Sequence, residues 1–402
     1  MRSRPGARGQ RPEARGTAEA RRTSHESRAR TSPITRHTSR LDFPAEWSPH
    51  AATWIAWPHH EPDWPGKLEA IQWVYAEIVR VLHGYERVEI LCHDEQVREN
   101  ATTRLEAHGC DPQRYRLHLV PNDRVWLRDS APTAVHQADG SVALVNWRFN
   151  AWAKYENYRL DAGVPGEIAR ITGLPLVEVR RVASDGTAED AGDGADRPGG
   201  GERLVLEGGA IDTDGAGSLL VTEECLLSCV QERNPGLDRA GYERAFGEYL
   251  GTRRVLWLGE GCLGDDTHGH VDDIARFVAP GVIALAFEED PADENHRRSQ
   301  DNLRRLELAA GDPLRIVKLP YPRAVTMNGE RLPASYANFY IADGVVIVPT
   351  FNDAGDRVAL NTLAALFPQR EVVGIHAVDL VWGLGTLHCL TQQQPRARGA
   401  RR

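Results

Sequence analysis

The 402-residue sequence lacks long apolar runs, since no stretch of about 18 consecutive apolar residues occurs in it. A helix that crosses a bilayer needs about 20 such residues, so the sequence predicts no membrane span. The start of the chain also lacks the apolar core of a secretory signal. Cysteine is scarce, with six residues. This count is typical of a reduced, cytoplasmic protein rather than of a disulfide framework.

The spacings that hold structural metals are also absent. The sequence contains neither a Cys-x-x-Cys pair nor a His-Glu-x-x-His segment. Cys225 and Cys229 lie in an apolar stretch, and we expect both in the core. His270 and Asp272 supply only two ligands, fewer than the four of a structural zinc site. We therefore expect no metal.

The chain after residue 40 lacks net positive charge. Residues 1–40 contain 11 arginines and 3 glutamates, so their net charge is +8, whereas residues 41–402 carry −17 of the total of −9. An acidic body repels nucleic acid and attracts small cations. We expect the arginines at both ends to be unstructured decoration, and we predict no nucleic-acid or membrane partner. The sequence leaves a homodimer open.

Three segments have compositions unlike the rest of the chain. Residues 1–40 are rich in Arg, Gly, Ser and Thr with few apolar side chains, and such a segment cannot offset its ordering entropy, so we predict disorder there. Residues 184–201 are acidic and glycine-rich, which indicates a flexible surface insertion. Residues 396–402 form a basic tail. The sequence between them, 41–395, is predicted to be one domain.

Short strand patterns alternate with helix patterns throughout that domain. Apolar, β-branched segments predict strands at residues 87–92, 115–120, 141–149, 218–227, 253–259, 282–287, 315–320, 338–351 and 370–375. Apolar residues at helical spacing predict helices over 68–82 and near 236–250, 293–310 and 356–367. Several strands for each helix indicate an α/β body built of similar small units.

Four polar clusters interrupt or end the apolar strands. They lie at residues 122–133, 206–212, 264–277 and around the cysteine near the end of the chain, and their most prominent members are Asp129, Glu207, His270, Asp272 and Cys389. On an extended chain, residues two apart point to the same face, so we expect the His270 and Asp272 side chains to face one space.

The surroundings of Cys389 differ from those of a buried structural cysteine. Gly383 and Gly385 allow close backbone approach, and three glutamines follow where a core strand would be apolar. A thiol needs help to react at neutral pH. The adjacent His388 would point away on an extended segment, so we expect His270, from a distant part of the sequence, to assist it.

A cysteine and a histidine on separate segments also suggest a papain-like hydrolase. That hypothesis fits poorly, because surplus carboxylates would oppose the negative charge that develops in acyl transfer. They suit a guanidinium instead, which stays charged in proteins and pairs with carboxylates through two parallel hydrogen bonds. Two aspartates would hold such a cation beside the sulfur, where its charge favours the thiolate.

Seven stretches carry a resemblance to a known family. The sequence resembles the agmatine deiminase and bacterial-type peptidylarginine deiminase family, within the guanidine-modifying pentein superfamily, over roughly residues 41–395. The matching stretches, in chain order, are FPAEWSPHAATWIAWP (43–58), WLRDSAPT (126–133), RFNAW (148–152), LEGGAID (206–212), DDTHGHVDDIARFV (265–278), YANFYIADGVVIVPTF (336–351) and DLVWGLGTLHCLTQQQP (379–395).

The resemblance implies a five-bladed α/β propeller of ββαβ units around a central pocket. It also implies that Asp129 and Asp272 hold the guanidinium and that Glu207 orients and charge-balances His270. Cys389 would attack the guanidino carbon, with His270 protonating the departing ammonia and then activating water. The implied reaction needs no cofactor and converts agmatine to N-carbamoylputrescine, a step towards putrescine and other polyamines.

Substrate choice is less firmly implied, because the sequence departs from the family pattern. His268 stands where the family has Asp, and Ala153–Lys154 stand where it often has Gly-Gly. By strand parity we expect His268 to face the distal end of the substrate. We also predict that three tryptophans line the pocket: Trp54, Trp57 and Trp126.

Other functions remain open at this point. Within the same chemistry, the substrate would be a protein or peptide arginine or another small guanidine, or the amidino group would pass to an amine acceptor. A non-catalytic guanidine-binding propeller is the alternative from a different class.

Overall fold

The computed structural model describes residues 41–181, 202–309 and 311–399. The predicted disorder of residues 1–40 and the insertion predicted at 184–201 lie outside these residues, as do the last three residues of the basic tail. Among the described residues, no helix combines the length and the hydropathy that a bilayer crossing requires.

Five sheets of three or four strands occur in the described part of the chain, together with a hairpin of Thr326–Met327 and Glu330–Arg331. Given in order of neighbouring strands, the sheets are Gln392–Pro395, His50–Ala56, Val88–Cys92 and Tyr115–Leu119; Leu41–Asp42, Thr133–Gln137, Val142–Asn146 and Leu176–Glu178; Asp212–Thr213, Ser218–Thr222 and Arg254–Leu258; Ala275–Ala279, Val282–Ala286 and Arg315–Leu319; and Tyr340–Ile341, Val345–Thr350 and Glu371–His376.

Each sheet repeats one connectivity. An antiparallel pair is followed by a parallel strand. A parallel strand cannot be reached by a tight turn and needs a crossover, and here a helix supplies it each time. The longer helices are Leu68–Leu82, Glu95–Ala107, Val164–Thr172, Arg239–Leu250, Glu294–Glu307 and Ala354–Leu366. The predicted mixed α/β class and its small repeated units are therefore confirmed.

The first sheet joins the two ends of the described chain. Its edge strand Gln392–Pro395 pairs with His50–Ala56 in an antiparallel register. This pairing fixes the segment just before it, which contains Cys389, against the beginning of the domain. The predicted unstructured state of the terminal arginines is wrong for Arg396 and Arg398, which form ion pairs with Asp343 and Asp42.

Three local predictions are corrected by the structure. The strand predicted over 218–227 ends at Thr222, because the Thr222 hydroxyl caps a short helix, Glu223–Leu227, by accepting from the Cys225 N–H (3.1 Å). The strand predicted over 338–351 is a hairpin that turns at Asp343 and Gly344. Cys225 is buried as predicted, whereas Cys229 is exposed.

Two of the longer helices were not predicted, at Glu95–Ala107 and Val164–Thr172. The first presents little apolar surface, since only Ala101 and Leu105 among its residues are buried. Its N-terminus is fixed by Asp94, whose side chain accepts from the Val97 N–H. Capping rather than hydrophobic periodicity marks this helix in the sequence.

An unusual turn follows the strand Val142–Asn146. Ala151, Trp152 and Ala153 all have left-handed backbone angles, with φ of 51°, 59° and 53°. Each such residue costs about 1–2 kcal/mol when it is not glycine. Local hydrogen bonds hold the turn, among them one from the Ala153 N–H to Asn150 Oδ1 (3.0 Å). The turn therefore stores strain, and it places the Trp152 indole in the wall of the cavity described below.

Ala153→Gly should raise the free energy of unfolding by about 0.5–1 kcal/mol. Glycine adopts left-handed backbone angles without strain, but its greater freedom in the unfolded chain offsets part of this stabilisation. Urea denaturation measures the change. Ala169→Gly, within the helix Val164–Thr172, is the control and should lower stability by about 1 kcal/mol. Destabilisation by Ala153→Gly would contradict the assignment of strain.

Candidate active site

A cavity of about 350 Å³ brings together residues from widely separated segments. Asp129 and Cys389 both contribute to its wall, with Trp126 and Trp152 beside them. The glycines before Cys389 allow this packing, because a Cβ at Gly385 would lie 2.8 Å from the Trp126 ring and 3.1 Å from the Cys389 Cβ. The close approach predicted from these glycines is confirmed.

Asp129 lies on the short helix Leu127–Ser130 and is almost fully buried. Its Oδ1 accepts from the Gly209 N–H and its Oδ2 from the Trp152 indole Nε1–H, both at 2.9 Å. Glycine is required at 209, since a Cβ there would lie 2.5 Å from His270 Nδ1. Burial raises the pKa of Asp129 to about 6, although the positive charge of His270 opposes the rise.

His270 lies between two carboxylates. Its Nδ1 is 3.8 Å from Asp129 Oδ2 and its Nε2 is 3.7 Å from Glu207 Oε2, and all three side chains are buried. Burial disfavours the charged imidazole. The negative charge of Asp129 and hydrogen bonds with Cys225 and with Glu207 outweigh the effect of burial, so the pKa of His270 is raised well above its usual value. Glu207 stays ionised with a pKa of about 2, because Arg233 and His270 overcome the cost of its burial.

The Cys389 thiol lies close to carboxylates and receives one amide donor. Its Sγ is 3.7 Å from Asp272 Oδ2, and the Asn338 amide donates to it at 3.1 Å. Burial, followed by the negative charges of Asp272, Asp273 and Asp129, raises the pKa of the thiol well above its usual value. Without a cation in the cavity, the sulfur is therefore held as a neutral thiol.

Asp272 retains a free acceptor. Its Oδ2 contacts His388 Nδ1 (2.7 Å), while its Oδ1 is buried without a hydrogen-bond partner among the described residues. Burial disfavours its charge, but the hydrogen bond from His388 outweighs that effect and lowers the pKa of Asp272. An ionised, unpaired oxygen beside the thiol suits a cationic hydrogen-bond donor.

The structure brings the five predicted residues Asp129, Glu207, His270, Asp272 and Cys389 into one connected cluster. The expected alternation of His270 and Asp272 on a strand is wrong, because Val271–Asp273 form a 3-10 turn. The turn still directs Asp272 towards the thiol and His270 towards Glu207.

Trp126 lines the cavity as predicted, but Trp54 and Trp57 do not. Both are fully packed in the core, where the Trp54 indole donates to Gln394 and the Trp57 indole to Asn100. His268 is also not part of the cavity wall. Its backbone is left-handed (φ 65°), so strand parity does not apply, and its Nε2 contacts the Ser228 hydroxyl at 3.0 Å.

Two supporting residues were missed by sequence reasoning. The segment Leu387–Leu390 is a helical turn rather than a strand, so His388 points inward and bridges Asp272 and Glu46 (Nε2–Oε2 2.8 Å). Asn338, in the stretch YANFY, donates its amide to both Cys389 and Asp273 (2.9 Å). Asn338 could have been recognised as a candidate, because it is a polar residue within an otherwise apolar stretch. No feature of the local sequence indicates the role of His388.

Two trios of side chains have ligand atoms close enough to hold a metal ion, within 4.8 Å of one another: Glu207, Cys225 and His270, and Asp272, Asp273 and Cys389. In the first trio the Arg233 guanidinium donates to Glu207 (3.1 Å), and its positive charge opposes a second cation. In the second, the Asn338 amide already bonds both Asp273 and Cys389. Neither trio offers a fourth protein ligand of these types.

Comparison with known proteins places this geometry in context. The model of the Porphyromonas-type peptidyl-arginine deiminase family matches residues 42–395. Agmatine deiminase of Pseudomonas aeruginosa (strain LESB58) is 34% identical over 379 residues, covering 89% of this chain and 96% of that protein. Agmatine deiminase of Ectopseudomonas mendocina is 34% identical over 384 residues, covering 89% and 96%.

Solved structures agree with the sequence relatives. Agmatine deiminase of Enterococcus faecalis superposes with a TM-score of 0.77 at 29% identity, over 89% of this chain and 96% of that one. A C. jejuni agmatine deiminase with substrate bound gives a TM-score of 0.76 at 25% identity, over 89% and 97%. These chains are similar to this one along nearly their whole lengths.

Asn338→Ala should slow alkylation of Cys389 by iodoacetamide about tenfold at pH 9, because loss of a hydrogen bond to a thiolate costs about 1.5 kcal/mol. The rate is measured by mass spectrometry of the Cys389 peptide, in a Cys229→Ser background that removes the exposed thiol.

Thr386→Val is the matched control, since its hydroxyl donates to Asn338 Oδ1 (2.7 Å) and does not touch the sulfur. It should slow the reaction less. Unchanged or faster alkylation of a folded Asn338→Ala protein would show that the amide does not stabilise the thiolate.

Proposed function

Because the chain belongs to the Porphyromonas-type peptidyl-arginine deiminase family, we propose that it hydrolyses the guanidino group of agmatine to N-carbamoylputrescine and ammonia. One observation carries the proposal. A buried thiol and two aspartates lie close together, with Asp129 and Cys389 in the wall of one cavity and Asp272 Oδ2 3.7 Å from the sulfur. Asp272 Oδ1 has no hydrogen-bond partner among the described residues, and this free acceptor suits a planar cation that donates hydrogen bonds.

Substrate binding is assigned to the two aspartates. Asp272 Oδ1 is buried and unpartnered, and Asp129 is held by a backbone and an indole donor that leave further lone pairs. A guanidinium carries five N–H donors in a flat fork, so it can pair with both carboxylates at once. The central carbon would then lie next to Cys389 Sγ.

The same cation activates the nucleophile. The pKa of the free thiol is raised by burial and by neighbouring negative charge. A guanidinium between the carboxylates cancels that repulsion and favours the thiolate. Reactivity therefore depends on occupancy of the site, and the empty enzyme is protected from adventitious alkylation.

The chemistry proceeds in two displacement steps with His270 moving protons. The thiolate forms a bond to the guanidino carbon, and the protonated imidazole gives a proton to the departing nitrogen, which leaves as ammonia. Water then attacks the thiouronium as the neutral imidazole takes one of its protons. The C–S bond breaks to return the thiolate and release the ureido product, and the second proton of that water passes to solvent, where ammonia takes it up as ammonium. Glu207 stabilises the imidazolium.

Contacts in the cavity wall support a small amine over a protein substrate. Lys154 and Tyr155 both bond Asp266, which joins the segment after the strained turn to the loop before His270 (Tyr155 Oη–Asp266 Oδ2 2.6 Å). Tyr155 and Asp266 line the cavity, and we propose that this connection restricts access by a peptide backbone. We therefore assign agmatine rather than peptidyl arginine.

We extend the proposal to the architecture and the domain. The five ββαβ-type sheets of the described chain support a five-bladed propeller, with residues 41–395 as one catalytic domain. The clustering of site residues from separate sheets is what such an arrangement would produce.

Purified protein should release ammonia and ureido product from agmatine, with much lower kcat/KM for free arginine and for an arginine peptide. Cys389→Ala should abolish turnover while retaining the far-UV circular dichroism of the parent. Product from none of the three guanidines would refute the proposed function, and a preference for the peptide would reassign the substrate.

Glu207→Gln should move the alkaline limb of the kcat/KM profile to lower pH. The group whose protonated form is needed is His270, and its pKa is raised partly by Glu207, so removing that charge lets the imidazole lose its proton at a lower pH. The exposed Glu99→Gln, which removes the same charge elsewhere, should leave the limb unchanged. A limb that stays in place in Glu207→Gln would contradict this role.

A further inference from the structure

Three carboxylates line the cavity, and they differ in what already occupies them. Asp129 shares the cavity wall with Cys389 and is assigned to the guanidinium. Asp266 already has a cationic partner, because one oxygen pairs with Lys154, and its other oxygen accepts from Tyr155. Asp63 is the third, and nothing in the assigned reaction uses it.

Asp63 ends the short turn Glu61–Asp63 and is buried, with only 8% of its side chain exposed. Its Oδ1 lies 3.1 Å from His60 Nδ1, and Arg124 approaches the carboxylate at 3.7 Å. Its Oδ2 has no hydrogen-bond partner among the described residues. A buried carboxylate oxygen without a donor is costly unless a ligand supplies one.

Arg124 does not satisfy Asp63 fully, because its guanidinium is engaged elsewhere. It stacks on the Tyr155 ring, with 4.2 Å to the ring centroid, and donates to Asn157. The 3.7 Å separation from Asp63 is longer than a hydrogen bond. The Asp63 carboxylate therefore offers this wall a buried oxygen that has no donor among the described residues.

The wall also carries apolar surface suited to a methylene chain. Trp126, Trp152, Met327 and Leu384 contribute to the same cavity. Asp63 and Cys389 both contribute to this same cavity wall.

We propose that Asp63 binds a distal ammonium of the substrate and so determines specificity for a guanidine that carries a second cationic group at the far end of an aliphatic chain. The inference rests on the proposed function, because it concerns the same cavity, and it adds the residue that selects an ω-amino guanidine. The ammonium would donate to the unpartnered Asp63 oxygen while the methylene chain crosses the aromatic wall.

A substrate series with one guanidine and three distal groups tests this. The substrates are agmatine (ammonium), n-butylguanidine (methyl) and 4-guanidinobutanoate (carboxylate). Wild-type protein should prefer agmatine. Asp63→Asn should lower kcat/KM for agmatine roughly 10- to 100-fold, as expected when one partner of a buried charge pair is removed, mainly through KM. For n-butylguanidine it should change kcat/KM less than about twofold.

Glu61→Gln is the matched control. Glu61 stands two residues before Asp63, its side chain is exposed and it is not part of the cavity wall, so the substitution removes the same charge outside the cavity. It should leave the substrate preference unchanged. Turnover of n-butylguanidine by Asp63→Asn reports that the variant is folded and its thiol chemistry intact.

Several outcomes would overturn the inference. If Asp63→Asn lowered kcat/KM equally for agmatine and for n-butylguanidine, the role of Asp63 would be structural. If the wild-type protein had equal kcat/KM for these two substrates, no ammonium would be recognised. A wild-type preference for 4-guanidinobutanoate would assign recognition to Arg124, whose Nε is also buried without a hydrogen-bond partner among the described residues. Activity on none of the three would refute the proposed function itself, and the inference with it.

Discussion

The concentration of negative charge around a buried thiol is the constraint on which the rest of the site depends. Asp129 and Asp272 are buried near Cys389, and their charges together with burial keep the sulfur protonated. Like charges at low dielectric repel strongly, so this arrangement is unfavourable in the empty protein. Under the proposed function, a bound guanidinium would offset this repulsion, because it would pair with the carboxylates and stabilise the thiolate at the same time.

A buried ionic network behind the cavity keeps these charges in place. Glu46 pairs with Arg276 (2.8 Å), with Arg128 (3.2 Å) and with His388, and His388 in turn holds Asp272. Burial opposes the charge on Glu46, but Arg276 and His388 outweigh it and hold its pKa well below the usual range. The site therefore carries fixed dipoles and charges that need little reorganisation when a cation enters.

The sequence predicted the chemistry better than it predicted the geometry. Asp129, Glu207, His270, Asp272 and Cys389 stand in recognisable stretches, and each of the five joins the cluster. Their orientations did not follow from strand alternation, since 271–273 and 387–390 are helical turns that short apolar patterns do not reveal.

The surrounding wall could not be read from local sequence. Trp54 and Trp57 look like pocket residues by type alone, but they lie in the core. Asp63 gave no signal, because its significance depends on partners far away in the chain, including Arg124 and the thiol. Mixed α/β class followed from strand and helix patterns, whereas the repeated sheet connectivity depends on pairings between distant segments.

On the proposed function, Cys389 becomes reactive when a cation occupies the space between the carboxylates. Two reagents of nearly the same shape test this at neutral pH: 2-chloroacetamidine, which is cationic, and 2-chloroacetamide, which is neutral. The rate of inactivation by each is measured, and the Cys389 adduct is identified by mass spectrometry. The amidine should inactivate the protein at least about a hundredfold faster, since pairing with buried carboxylates contributes several kcal/mol. Equal rates for the two reagents would contradict it.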